Sequence, residues 1–208
     1  MHVDNLPVPS PAGAGEADPI TAPRPELREL TLVRRTAFSG RQLHVRVDTV
    51  RLRSGEVATR EIVELPAAAA VVAVDEHWNV WLVRRWRRSA DRAVLELPAG
   101  PLVPGQAPVA GARLELAEQV GLAATTFEHL ASVRPGTWSS EVVGVFLAVG
   151  LRQLPEHRPD PEIVEVVRLP LDAALAAIWS GEIDDGRTVA GLLLARAALG
   201  DDVVRPSG

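Results

Sequence analysis

The stretch LELPAGPLVPGQAPVAGARLELAEQVGL, residues 95–122, decides the fold. Its first six residues, Leu95 to Gly100, end extended structure at a proline and a glycine. A loop punctuated by Pro101, Pro104 and Gly105 follows. From Pro108 the pattern turns helical: Val109, Ala112, Leu116 and Val120 fall on one stripe of a helix over 108–120. Pro108 suits the first helical turn, and Gly121 suits the position just past the last. Glu115, Glu118 and Gln119 stand at i, i+3 and i+4 and share a face, which is expected to point away from that stripe. Taken alone, such spacing is what a solvated helix face carries. Gathered beside a glycine loop, the same oxygens are the donors that Mg²⁺ or Mn²⁺ selects. Such an ion can clamp a diphosphate and activate a water.

Upstream, Leu30 to Ser39, Gln42 to Arg53 and Val57 to Val63 read as three strands of a small antiparallel unit. Ala67 to Val74 is apolar throughout, as a buried strand should be, and Val80 to Trp86 follows after a polar turn. Downstream, strands are expected at Phe127–Val133, Val142–Val149 and Ile163–Leu169, and helices at Leu171–Ser180 and Arg187–Leu199. Residues 1–26, rich in Pro, Ala and Gly, read as a disordered tail, 27–65 as the N-terminal β unit, 66–200 as the main domain and 201–208 as a second tail.

Composition narrows the chemistry. Across 208 residues there is no cysteine and no lysine, which removes thiolate sites, Schiff bases and a Walker-type phosphate lysine. A net charge of -5 argues against general nucleic-acid affinity. No apolar run is long enough to span a membrane and no signal-peptide pattern is seen, so a cytoplasmic protein is expected. His2, His44, His77, His129 and His157 lack metal-ligand spacing.

The 95–122 stretch resembles the Nudix signature: Gly, five residues, Glu, seven residues, then Arg-Glu-aliphatic-any-Glu-Glu-any-Gly-aliphatic. Gly100, Glu115, Leu116, Glu118, Gly121 and Leu122 fall in register without a gap. Gln106, Leu114 and Gln119 depart from it, standing for Glu, Arg and Glu. The flanks are similar to the ADP-ribose pyrophosphatase branch: Leu95 to Gly100 before the box, Arg60-Glu61, Val83-Arg84-Arg85-Trp86-Arg87 with Arg85 in place of a Gln, Pro135 to Glu141, and Gly181 through Thr188.

That resemblance implies an α/β/α sandwich with a mixed sheet, a homodimer built through the N-terminal β unit, and Mg²⁺ or Mn²⁺ held by Glu115, Glu118, Gln119 and the carbonyl of Ala99. It implies substrate contacts from Arg60, Glu61, Arg84, Arg87, Ala99, Gly100, Phe38 and Trp138. Glu141 and Glu162 are the candidate bases, with Glu115 catalytic through the box and Glu165 a weaker alternative. The implied reaction splits a nucleoside diphosphate linked to a sugar, such as ADP-ribose, into AMP and a sugar phosphate. The departures at Gln106, Leu114 and Gln119 keep a second reading open, a nucleotide-sugar-binding module without hydrolysis. A third is an enzyme for a different diphosphate.

Overall fold

The computed structural model describes residues 28–156 and 160–200. The expected tails, with His2 and His157, lie outside them. Three strands, β1 (Leu30–Ser39), β2 (His44–Arg51) and β3 (Val57–Glu64), form a separate antiparallel sheet in that order. Two compact units are distinguished, and their division cuts through these strands. Among the described residues, the smaller unit holds 28–34 together with Asp48–Arg60. The larger holds Arg35–Val47 and the described residues from Glu61 onward.

The larger unit is organised around β4 (Ala68–Val74), in which every residue is buried. Side chains alternate across a strand, so Ala68, Ala70, Val72 and Val74 enter one core while Ala69, Val71 and Ala73 enter another. The sheet is completed by β5 (Asn79–Arg87), β6 (Arg92–Glu96), β7 (Ala99–Pro101), β8 (Leu122–Val133), β9 (Val143–Gln153) and β10 (Ile163–Pro170). Its main path runs β10-β5-β4-β9-β8, with β6 on β5 and β7 on β4. β4 and β9 are parallel and the other pairings antiparallel, which makes the sheet mixed.

Helix α1 (Pro108–Val120) covers one face through Ala112, Leu116 and Val120. Helices α2 (Leu171–Trp179) and α3 (Gly186–Leu199) cover the other through Leu171, Ala174, Leu192 and Ala195. The layering is the expected α/β/α sandwich. Pro108 opens α1, and Gly121 closes it at φ 76°, its N–H turned back to the carbonyls of Leu116 and Ala117.

Two expectations are corrected. β8 begins at Leu122, directly after the helix cap, and not at Phe127, because it pairs with β9 over its whole length from Leu122↔Gln153. The segment before the box is two short strands, β6 and β7, hydrogen-bonded to different neighbours on either side of Leu97-Pro98.

Candidate active site

The box residues meet where β7 passes under α1. Ala99 pairs with Ala70 and Gly100 with Ala69, and the Val71 N–H donates to the Pro98 carbonyl at 2.9 Å. The segment is thereby fixed to the central strand. From the other side, Asp185 caps α3 by accepting from the Thr188 N–H at 2.9 Å. The buried Thr188 hydroxyl donates to Asp185 at 2.7 Å and accepts the Leu97 N–H at 2.9 Å.

The three polar box side chains do not share one environment. Glu115 and Gln119 are buried, at 9% and 5% exposure, whereas Glu118 is exposed. The expected face pointing away from the core stripe is therefore split. Glu115 and Gln119 lie beside Leu116 and Val120 and turn inward onto β7, and Glu118 faces solvent. Gly100 allows the close approach: a β-carbon on it would run into the Glu115 carboxyl group and push that side chain aside. The Gln119 amide nitrogen donates to the Ala99 carbonyl at 2.9 Å and to Glu115 Oε2 at 2.5 Å. Its oxygen accepts the Ala99 N–H at 3.3 Å. Burial pushes the Glu115 carboxyl above its ordinary pKa; the Gln119 bond and the Arg85 charge oppose the shift, and Glu118 and Asp160 add to it.

Beside Ala99 and Gly100 opens a cleft of about 540 Å³. Arg41, Arg85, Arg87 and Arg187 line it together with Glu141 and Glu162. Arg87 donates through Nε to the buried Glu96 at 2.7 Å and again through a second nitrogen. That hydrogen bond raises its guanidinium pKa. Arg85 is buried; it meets Asp160 at 3.1 Å and Glu162 at 3.9 Å, and among the described residues its Nε has no hydrogen-bond partner. Glu141 is largely buried and lies 3.9 Å from Arg187. Glu162 is exposed, its N–H bonded to the Asp160 carboxylate at 2.9 Å.

A NUDIX domain model matches residues 64–191. An ADP-ribose pyrophosphatase of Bacillus subtilis is 36% identical over 166 residues, covering 78% of this chain and 89% of the relative. One from Mycobacterium tuberculosis is 37% identical over 172 residues, covering 80% and 83%. A methanol dehydrogenase activator of Bacillus methanolicus is 33% identical over 165 residues, covering 77% and 89%.

The chain belongs to the NUDIX family.

A solved crystal structure of an ADP compounds hydrolase superposes with a TM-score of 0.74 over 83% of this chain and 94% of that one; at 22% identity the likeness speaks for the NUDIX fold. NUDIX hydrolases use divalent metal ions. Among the described residues, no three His, Cys, Asp or Glu side chains gather as a cluster for an ion. The donors that do converge are the Ala99 carbonyl and the Glu115 carboxylate, both aimed at one electropositive nitrogen of Gln119. This oxygen pair fits a hard cation that completes its shell with water and phosphate oxygens.

The remaining residues expected from the family resemblance are spread more widely. Arg84 is engaged with Glu165 at 3.0 Å on β5 and β10. Arg60 belongs to the smaller unit, where it bonds Glu29 through two nitrogens, at 3.1 and 2.5 Å. Glu61, Phe38 and Trp138 are exposed. The sequence assigned no role to Arg41 or Arg187, and it marked Arg85 only as a departure from the family's Gln. Arg187 stands between the cap residues Asp185 and Thr188, and that Asp-x-x-Thr spacing was the signal that could have placed its side chain near the box.

Proposed function

We propose that this protein hydrolyses a nucleoside diphosphate linked to a sugar, of the ADP-ribose class. For ADP-ribose the products are AMP and ribose 5-phosphate. The observation that carries the reading is one cleft in which four arginines and two acids surround the Ala99-Gly100 edge of the box. Two relatives named ADP-ribose pyrophosphatase favour turnover over a binding role without hydrolysis.

Guanidinium forks match phosphate oxygens, so Arg41, Arg85, Arg87 and Arg187 are the proposed diphosphate contacts. Glu96 holds the Arg87 plane in place. Glu141, largely buried and tethered through its N–H to Ser139 Oγ at 3.0 Å, is the proposed base. It takes a proton from the attacking water; the new P–O bond forms as the bridging P–O bond breaks, and the leaving phosphate keeps that electron pair. A divalent cation, Mg²⁺ or Mn²⁺, held by the Ala99 carbonyl and Glu115 with Glu118 nearby, would neutralise phosphate charge and lower the pKa of bound water. Phe38 and Trp138 are proposed as stacking faces for the base, and Arg60, Glu61 and Arg84 as outer substrate contacts. The fully exposed edge strand β1, with Leu30, Leu32, Val33 and Phe38 outward, is the proposed contact with a second copy.

AMP release from ADP-ribose with Mg²⁺ or Mn²⁺ tests the activity, and no AMP at high protein concentration overturns it. Glu141→Gln should lower kcat by about 10²–10⁴-fold, and Glu162→Gln by much less. The opposite ranking would move the base to Glu162.

A further inference from the structure

We propose that the Gln119 side chain is a latch on the oxygen pair of this site, so that a divalent cation enters only in company with a diphosphate. The proposal deepens the hydrolase reading and rests on it for the identity of the diphosphate.

Three hydrogen bonds carry it. The Ala99 N–H needs an acceptor, while the Ala99 carbonyl and the Glu115 carboxylate each need a donor. Only one orientation of an amide meets all three demands. Gln119 adopts it, with Oε1 toward the Ala99 N–H at 3.3 Å and Nε2 toward the two oxygens at 2.9 and 2.5 Å. Both Nε2 protons are thereby committed to the oxygens a cation would use. The arrangement is buried, and the Glu115 carboxyl is hemmed in by Gly100. A cation arriving alone must displace the amide from both oxygens. In return Gln119 offers one neutral carbonyl oxygen and no charge.

A diphosphate changes that balance. It brings phosphate oxygens as ligands and negative charge to the cleft, which borders Ala99 and Gly100. Small divalent cations are commonly held through one or two carboxylates plus substrate phosphates. Phosphate ligation to the cation couples the two affinities, each raising the other by the same factor, and the latch keeps the cation's affinity alone low.

The test is a Mn²⁺ titration of the full chain, read by the paramagnetic resonance signal of free Mn²⁺. It is run alone and with the α,β-methylene analogue of ADP-ribose, which resists cleavage, and the Mn²⁺ bound by the analogue's own phosphates is subtracted from a protein-free titration. The unaltered protein should bind Mn²⁺ weakly alone and at least about tenfold more tightly with the analogue. Gln119→Ala removes the latch without adding charge, and should bind Mn²⁺ alone about 10–100-fold more tightly than the unaltered protein, the factor that one hydrogen bond to a charged group represents. Equal Mn²⁺ affinity of the unaltered protein with and without analogue overturns the proposal. So does a folded Gln119→Ala variant that binds Mn²⁺ no better than the unaltered protein. Should that variant not fold, the coupling in the unaltered protein decides. AMP release from ADP-ribose at saturating Mn²⁺ is measured separately, so failure of the hydrolase reading leaves the Gln119→Ala comparison standing.

Discussion

Two single positions, Gly100 in the site and Asp75 in the turn between β4 and β5, show what close approach and hydrogen bonding contribute. A β-carbon at Gly100 would meet the far end of Glu115, a flexible side chain, and not backbone. Gly100→Ala should therefore change stability by only about 1 kcal/mol, since overpacking costs little where a side chain can swing aside. The displaced carboxylate should nevertheless cost about 10²-fold in kcat, as misplacements near 1 Å do. Denaturant melts and steady-state kinetics on one preparation separate the two effects. Asp75 is the second position. It accepts the N–H groups of His77 and Asn79 at 2.9 and 3.0 Å and Arg168 Nε at 2.8 Å. Burial alone would raise its carboxyl pKa, but these donors prevail and hold it below the ordinary value. A depressed folded pKa adds stability above the unfolded value, about 3.9, and that stability fades as pH falls through the folded one. Asp75→Asn should cost about 1–3 kcal/mol at neutral pH, and the gap to the unaltered protein should close in urea melts taken down through the acid range.

At the scale of elements, α1 was the most legible part of the chain. Its apolar stripe, Pro108 and Gly121 are local signals, and the helix obeys them. The inward turn of Glu115 and Gln119 was not legible, because it depends on β7 packing against them, and β7 is positioned by β4, about thirty residues earlier. The start of β8 was hidden because Ala123-Ala124-Thr125-Thr126 has no apolar alternation; pairing with β9 makes it a strand. Arg85 stood out as a departure, yet its contact with Asp160 joins residues 75 positions apart that no spacing rule connects. The bond between α3 and the box segment is equally remote. Thr188→Val keeps the shape but leaves the Leu97 N–H without its acceptor. It should cost about 1–3 kcal/mol, read as a shifted denaturation midpoint with an unchanged slope.

For the whole molecule, the strands and helices were readable from their own patterns, while the layered sandwich and the assembly were both implied by family resemblance. All ten residues of β1 are exposed, and Leu32 and Val33 stand among them. Sedimentation velocity should show a dimer, and Leu32→Glu should shift it to a monomer; an unaltered protein that sediments as a monomer at high concentration would refute this arrangement.

The burial of β4 on both faces also bears on timing. Its amides sit between paired strands, so they should exchange with deuterium only when the entire layer opens. Pro98 and Ala99 are fastened to that strand. The carbonyl wall of the site is thus part of the slowest clock in the protein. Adding a ligand should leave its deuterium uptake unchanged, while the Asp160–Glu162 turn, which carries its acids on the rim, records the arrival.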